Sequence, residues 1–166
     1  MKLTKVFYDG KCGLCSKEIN YYKRIAPKNI FEWHDIASNP EKLKELHVSQ
    51  YDALMYLHAT DHKSNLKIGV DAFIMIWAQL KYWKGLSILV KTPIVYTIAK
   101  ITYKLFANYR FKKLTHCQMA ILTTPIHYIS SEEIEINTLM QSTLFVKFFR
   151  IMTLIRCSQF MDLVAS

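Results

Sequence analysis

The chain has 166 residues, 51% of them apolar, and carries 22 Lys and Arg against 13 Asp and Glu for a formal net charge of +9. That length and composition suit one modest domain with its own core and exclude a disordered chain. Its four cysteines are too few for a small disulfide-stapled scaffold, and Met1 to Lys5 run into the first strand with no apolar stretch of signal-peptide length, so the cytoplasm is the expected location.

Lys5 to Tyr8 reads as a buried strand, and Asp9-Gly10-Lys11-Cys12-Gly13-Leu14-Cys15 follows it as a short loop. Ser16 to Ile25 has helical spacing at Ile19, Tyr22 and Ile25 and should stop near Pro27, after which Phe31 to Asp35 reads as a second strand. Such a βαβ unit implies parallel strands with a right-handed crossover. Ser38-Asn39-Pro40-Glu41 has the form of a helix start, with Leu43 and Leu46 as its apolar face and an end near His47. Ala53 to His58 and Leu66 to Val70 read as two strands joined by the polar Thr60 to Asn65, a good hairpin connection. Asp71 is placed to cap a helix from Ala72 to Lys81.

Beyond residue 82 the pattern changes. Leu86 to Val90 is strongly apolar, and Pro93 opens a helical pattern to about Lys113 with Ile94, Ile98, Ile101 and Leu105 on one face and Lys100 and Lys104 on another. The interior charges and the break at Pro93 argue against a spanning helix, which needs about 20 mostly apolar residues. An amphipathic helix packed on the domain is the plainer expectation, and one lying on a membrane surface the sharper. No Asp or Glu occurs between Asp71 and Glu132, while eight Lys and Arg fall there, so residues 81–113 must present a basic surface. From residue 118 onward the role is unassigned; 144–152 has the composition of a helix, and the segment suits packing, a dimer contact or a membrane-facing role.

The pair Cys12-x-x-Cys15 carries the chemistry. At a helix start, free backbone N–H groups and the helix dipole favour thiolate over thiol, which makes Cys12 the better nucleophile. Cys15 lies one turn on, within reach of a mixed disulfide formed on Cys12. Lys11 adds positive charge beside Cys12, and Gly10 and Gly13 permit the tight backbone that brings a partner sulfur close. Asp9 has two competing roles. Ionised, it would hold loop N–H groups; with a raised pKa it would take the Cys15 proton during resolution.

Tyr8-Asp9-Gly10-x-Cys12-x-x-Cys15 resembles the signature of the DCC family of thiol-disulfide oxidoreductases, named for its Asp-Cys-Cys triplet. Gly69-Val70-Asp71-Ala72 and Tyr103-Lys104-Leu105-Phe106-Ala107-Asn108-Tyr109-Arg110 resemble its later blocks, in the family's order, so the likeness spans roughly residues 4 to 117. It implies an α/β, thioredoxin-like mixed sheet flanked by helices over residues 1–117, followed by a C-terminal, helical extension over 118–166. It further implies protein-disulfide reductase activity on a protein or small-molecule thiol or disulfide, with no cofactor beyond the Cys12-Cys15 pair; no nucleic-acid partner is expected. Two departures stand out. Thioredoxins have proline at the position of Leu14, and thioredoxin-like enzymes have a proline just before the third strand; Pro27, Pro40, Pro93 and Pro125 do not supply it.

Competing readings remain. A CxxC is also half of a zinc site, but the second half is missing, since only adjacent His116-Cys117 and isolated histidines such as His34 and His47 remain, so no metal is expected. Cys117 and Cys157 read as bystanders. A redox-silent module docking through its basic half to a membrane surface or an acidic partner is the alternative to an exchange enzyme, which leaves a membrane-peripheral position open.

Overall fold

The computed structural model describes residues 3–123. Thr4–Tyr8 (β1), Phe31–Asp35 (β2), His58–Thr60 (β3) and Leu66–Ile68 (β4) form one sheet in the order β2-β1-β3-β4. β1 and β2 are parallel, Val6 opposite Trp33, and are joined by the helix Gly13–Ile25 (α1). β3 runs antiparallel to β1, Val6 opposite Ala59, and β4 antiparallel to β3. A parallel βαβ unit followed by a ββα unit on one sheet is the thioredoxin-like arrangement that the sequence led us to expect.

β1 is central, so its alternate side chains enter two cores. Val6 packs with Ile19 and Tyr22 of α1, with Ala59, and with Ala72 and Ile76 of the helix Val70–Gln79 (α3). Phe7, on the other face, joins Leu54 of the short helix Gln50–Met55 (α2), Ala107 and Phe111 of the helix Pro93–Lys113 (α5), and Cys117 and Ala120 of the helix Thr115–Thr123 (α6). Phe7 also stacks on His34 with ring centroids 5.0 Å apart. A further helix, Lys84–Val90 (α4), packs Val90 against Val70 and Ile74.

Several local expectations are corrected. The helix at the cysteine motif begins at Gly13, three residues before the predicted Ser16. Pro40–Leu46 is helical and stops at His47 as expected, but it is a 3-10 helix and Asn39 ahead of it makes no capping side-chain bond, with His47 in the left-handed region. Ala53 to Met55, expected in a strand, belong to α2 because Ser49 and Asp52 form a reciprocal cap: Ser49 Oγ accepts the Asp52 N–H at 3.0 Å and donates to Asp52 Oδ2 at 2.6 Å. Val70 likewise leaves its expected strand for α3. Asp71 sits inside the first turn of α3 and accepts the Tyr96 hydroxyl at 3.0 Å instead of capping. The polar Thr60 to Asn65 connection does close the hairpin, through Asp61 Oδ1 accepting the N–H groups of Lys63 and Asn65 at 2.8 and 2.9 Å.

α5 has the predicted bounds but not the predicted inward face. Val95, Tyr96, Ala99 and Tyr103 pack on Val70, Ile74 and Val90, and Ala107, Arg110 and Phe111 continue that buried stripe. Ile94, Ile98 and Ile101 are exposed. The inward stripe contains two tyrosines and an arginine whose polar ends all find partners, so it buries well although it reads as mixed. The predicted helix at 144–152 and the rest of the expected extension beyond 123 lie outside the described residues.

Candidate active site

The loop between β1 and α1 is held from both sides. Cys12 is the N-cap of α1, its Sγ accepting the Cys15 N–H at 3.3 Å. Gly10 donates its N–H to Asp35 Oδ1 at 2.9 Å, and Ser16 Oγ donates to the Gly10 carbonyl at 2.6 Å. A Cβ at residue 10 would overlap the Asp35 carboxylate, which is why glycine is needed there. Gly13 has open space around it and no left-handed backbone, so the tight approach belongs to Gly10 alone. Gly69 is the other constrained glycine, at φ +59° with the Tyr103 ring against it. Tyr103 in turn accepts the Leu57 N–H at 3.0 Å. Leu57 precedes β3, so the backbone donor just before that strand is already engaged.

Cys12 and Cys15 are free thiols with Sγ atoms 2.7 Å apart, Cys15 donating to Cys12. That hydrogen bond, helped by the Cys15 amide and the Arg110 guanidinium and opposed by burial, lowers the Cys12 pKa to about 6. The same bond and burial push the Cys15 thiol far up. The two sulfurs are thus differentiated as nucleophile and latent thiol. Lys11 is exposed, and the cation that acts on Cys12 is Arg110, 98 residues further along the chain. Cys12 is only 2% exposed, while Leu14 beside it in the first turn of α1 is exposed.

Arg110 is the hub. Its NH1 donates to Asp9 Oδ2 at 3.2 Å, and its NH2 donates to the Leu54 carbonyl and, at 2.8 Å, to that of Met55. Burial works against its charge, but the two cysteine sulfurs raise its pKa further. One guanidinium therefore ties the Asp9 carboxylate, the segment before β3 and the dithiol together.

Asp9 is buried, and Oδ1 accepts the N–H groups of Lys11 and Cys12 at 3.1 and 3.2 Å. His116 Nε2 lies 3.0 and 2.9 Å from its two oxygens, and Cys117 Sγ 3.7 Å from Oδ2. The loop-shaping role of Asp9 is thus visible in its hydrogen bonds, while the Cys15 thiol is given to Cys12. Burial, with the Asp9 charge, pushes the Cys117 thiol up to about 12. Tyr8 turns away to Lys23, whose Nζ donates to its hydroxyl at 2.9 Å.

Sequence reasoning passed over His116 and Cys117, which it read as an isolated pair, and Asp35, which it used only to end a strand. Asp9, His116 and Cys117 bring an oxygen, a nitrogen and a sulfur within 4.8 Å of one another, donor types that zinc accepts. Asp9 Oδ2 already holds the Arg110 guanidinium there, and that fixed positive charge opposes a cation.

A family profile described as DCC1-like thiol-disulfide oxidoreductase matches residues 6–115. The chain is also similar to an uncharacterized chloroplastic protein of Arabidopsis thaliana, 28% identical over 110 residues. That alignment covers 65% of this chain and 51% of the relative, so the chain spans about half the relative's length. No solved structure matches the chain. The profile ends one residue before His116.

Proposed function

Because the chain belongs to the DCC1-like thiol-disulfide oxidoreductase family, with thiols or disulfides as its general substrate class, we propose that it catalyses thiol–disulfide exchange through Cys12 and Cys15. The Cys12 thiolate attacks one sulfur of a disulfide R–S–S–R′, forming Cys12–S–S–R and releasing R′S⁻, which takes up a proton. Cys15 then loses its proton and attacks the Cys12 sulfur, forming the Cys12-Cys15 disulfide and releasing RS⁻. Two electrons pass from the dithiol to the substrate, and a thiol reductant returns them. The placement of Cys12 as the N-cap of α1, accepting the Cys15 thiol at 2.7 Å, carries this reading. A redox-silent docking module would have no use for a helix-capping thiol that accepts a second thiol's hydrogen bond.

Asp9 assists by holding the loop and by receiving the Cys15 proton as resolution begins, with His116 linking it to the surface. His116 keeps 20% of its side chain exposed while touching the buried carboxylate, which suits a proton exit. Asp9→Asn retains a side-chain oxygen for the loop N–H groups but no longer accepts a proton. In stopped-flow exchange with a small aromatic disulfide, the first step should be nearly unchanged and the resolving step slowed on the order of 10²-fold. Equal rates in both steps, with lower thermal stability, would leave Asp9 a structural residue only.

A further inference from the structure

No single helix among the described residues is long and apolar enough to cross a membrane, and α4 and α5 meet at a 99° bend. Around and beyond that bend lies an unusual surface. Ile88 on α4 is 68% exposed, and Ile94, Ile98 and Ile101 on α5 are 77%, 57% and 57% exposed. The three α5 positions fall at i, i+4 and i+7, so they form one stripe, opposite the face that Val95, Ala99 and Tyr103 bury. Lys84 and Lys91 are exposed four residues before and three after Ile88, on its side of α4, while Lys100 is exposed on another side of α5, its Nζ over the Tyr96 ring. No carboxylate from the same stretch balances them, because Asp71 and Glu132 bound a segment without Asp or Glu. Asp71 is itself engaged by Tyr96 on the inward side of α5.

We propose that this α4–α5 face docks on the surface of an anionic phospholipid bilayer. The isoleucines enter the boundary between headgroups and acyl chains, and the lysines pair with lipid phosphates. Exposed isoleucines in a segment whose charged residues are all basic match a negatively charged apolar interface, whereas a second copy of the same face would oppose lysine to lysine. The 99° bend sets α4 and the longer α5 at an angle, both packed on α3, with Ile88, Ile94, Ile98 and Ile101 left on their outer sides. The docking stands apart from the exchange chemistry and would confine the dithiol to substrates that reach a membrane surface.

The test is co-sedimentation of the full chain with phosphatidylcholine vesicles with and without about 30% phosphatidylglycerol. Binding should require the anionic lipid and weaken as salt is raised. The double variant Lys84→Gln, Lys91→Gln should lower partitioning by about thirtyfold, at roughly 1 kcal/mol per lysine near the surface. Ile94→Gln with Ile98→Gln should lower it by about tenfold or more, and both variants should keep the wild-type Cys12 titration as a measure of an intact fold. No binding to anionic vesicles, equal partitioning of wild type and variants, or concentration-dependent dimerisation that the isoleucine variant abolishes without vesicle binding would each overturn the proposal.

Discussion

Replacing Arg110 by glutamine should move the Cys12 titration up by about one and a half units from its value of about 6. The guanidinium charge and its hydrogen bond to the sulfur favour the thiolate, and both are lost together. The effect on rate depends on pH. A thiol with a higher pKa is intrinsically more nucleophilic, with a Brønsted slope of about 0.45, so near pH 7 the smaller thiolate fraction is largely offset. At pH 5.5 the fraction falls about 24-fold against a nucleophilicity gain of about fivefold, leaving attack roughly fivefold slower. Iodoacetamide alkylation of Cys12 followed across pH 4 to 9 reads the midpoint directly, and an unmoved midpoint would contradict the role given to Arg110.

The same variant should be less stable. It leaves the buried Asp9 without its guanidinium and the Leu54 and Met55 carbonyls without their donor, a cost of about 3–5 kcal/mol. Arg110→Lys separates charge from geometry, because an ammonium keeps the positive field but lacks the planar fork that reaches three acceptors. It should retain most of the low Cys12 midpoint while losing part of the stability. The pH dependence has a defined sign. Cys12 has a lower pKa in the folded reduced protein than unfolded, so its contribution is fully present above the unfolded value of about 8.5 and fades as pH falls through about 6. Arg110→Gln should flatten that slope between pH 6 and 8.5 in urea unfolding curves.

The cysteine variants should divide the reaction. Cys12→Ser should lower exchange by at least about a thousandfold, because serine supplies no thiolate at neutral pH. Cys15→Ser should still attack but arrest at the mixed disulfide, visible by intact mass as one adduct located on Cys12. Cys117 is fully buried and its thiol is held protonated beside Asp9, so it should not substitute. An adduct on Cys117 in the Cys12→Ser protein would transfer the nucleophile to the wrong sulfur and defeat the assignment.

The sequence made β1, the cysteine loop, α1 and β2 legible because each has a local signature: an apolar run, a CxxC, helical spacing and a proline stop. It misread Ala53 to Met55, where a short apolar run is ambiguous between helix and strand and the Ser49–Asp52 cap decides the matter. It misjudged α5 because periodicity favoured the isoleucines, whereas burial went to Tyr96, Tyr103 and Arg110, whose polar ends are matched by Asp71, Leu57 and Asp9. At the site, Cys12, Cys15 and Asp9 were readable from adjacency. The cation was not, because Lys11 is the local charge and Arg110 arrives by tertiary folding. His116 and Asp35 were missed for the same reason: each acts across more than 20 residues on a loop whose own residues gave no sign of needing them. Arg110 alone carried a signal, through the third block of the family resemblance.

The central claim is that Cys12 and Cys15 form a reversible redox couple, and a titration of the full chain in defined dithiothreitol buffers tests it most directly. Thiols are trapped by alkylation at each poise and the Cys12 and Cys15 peptides are read by mass spectrometry. A reversible Cys12-Cys15 disulfide with a midpoint between about −120 and −270 mV, the span of catalytic dithiols, is the predicted result. Failure of that disulfide to form at any poise would contradict it.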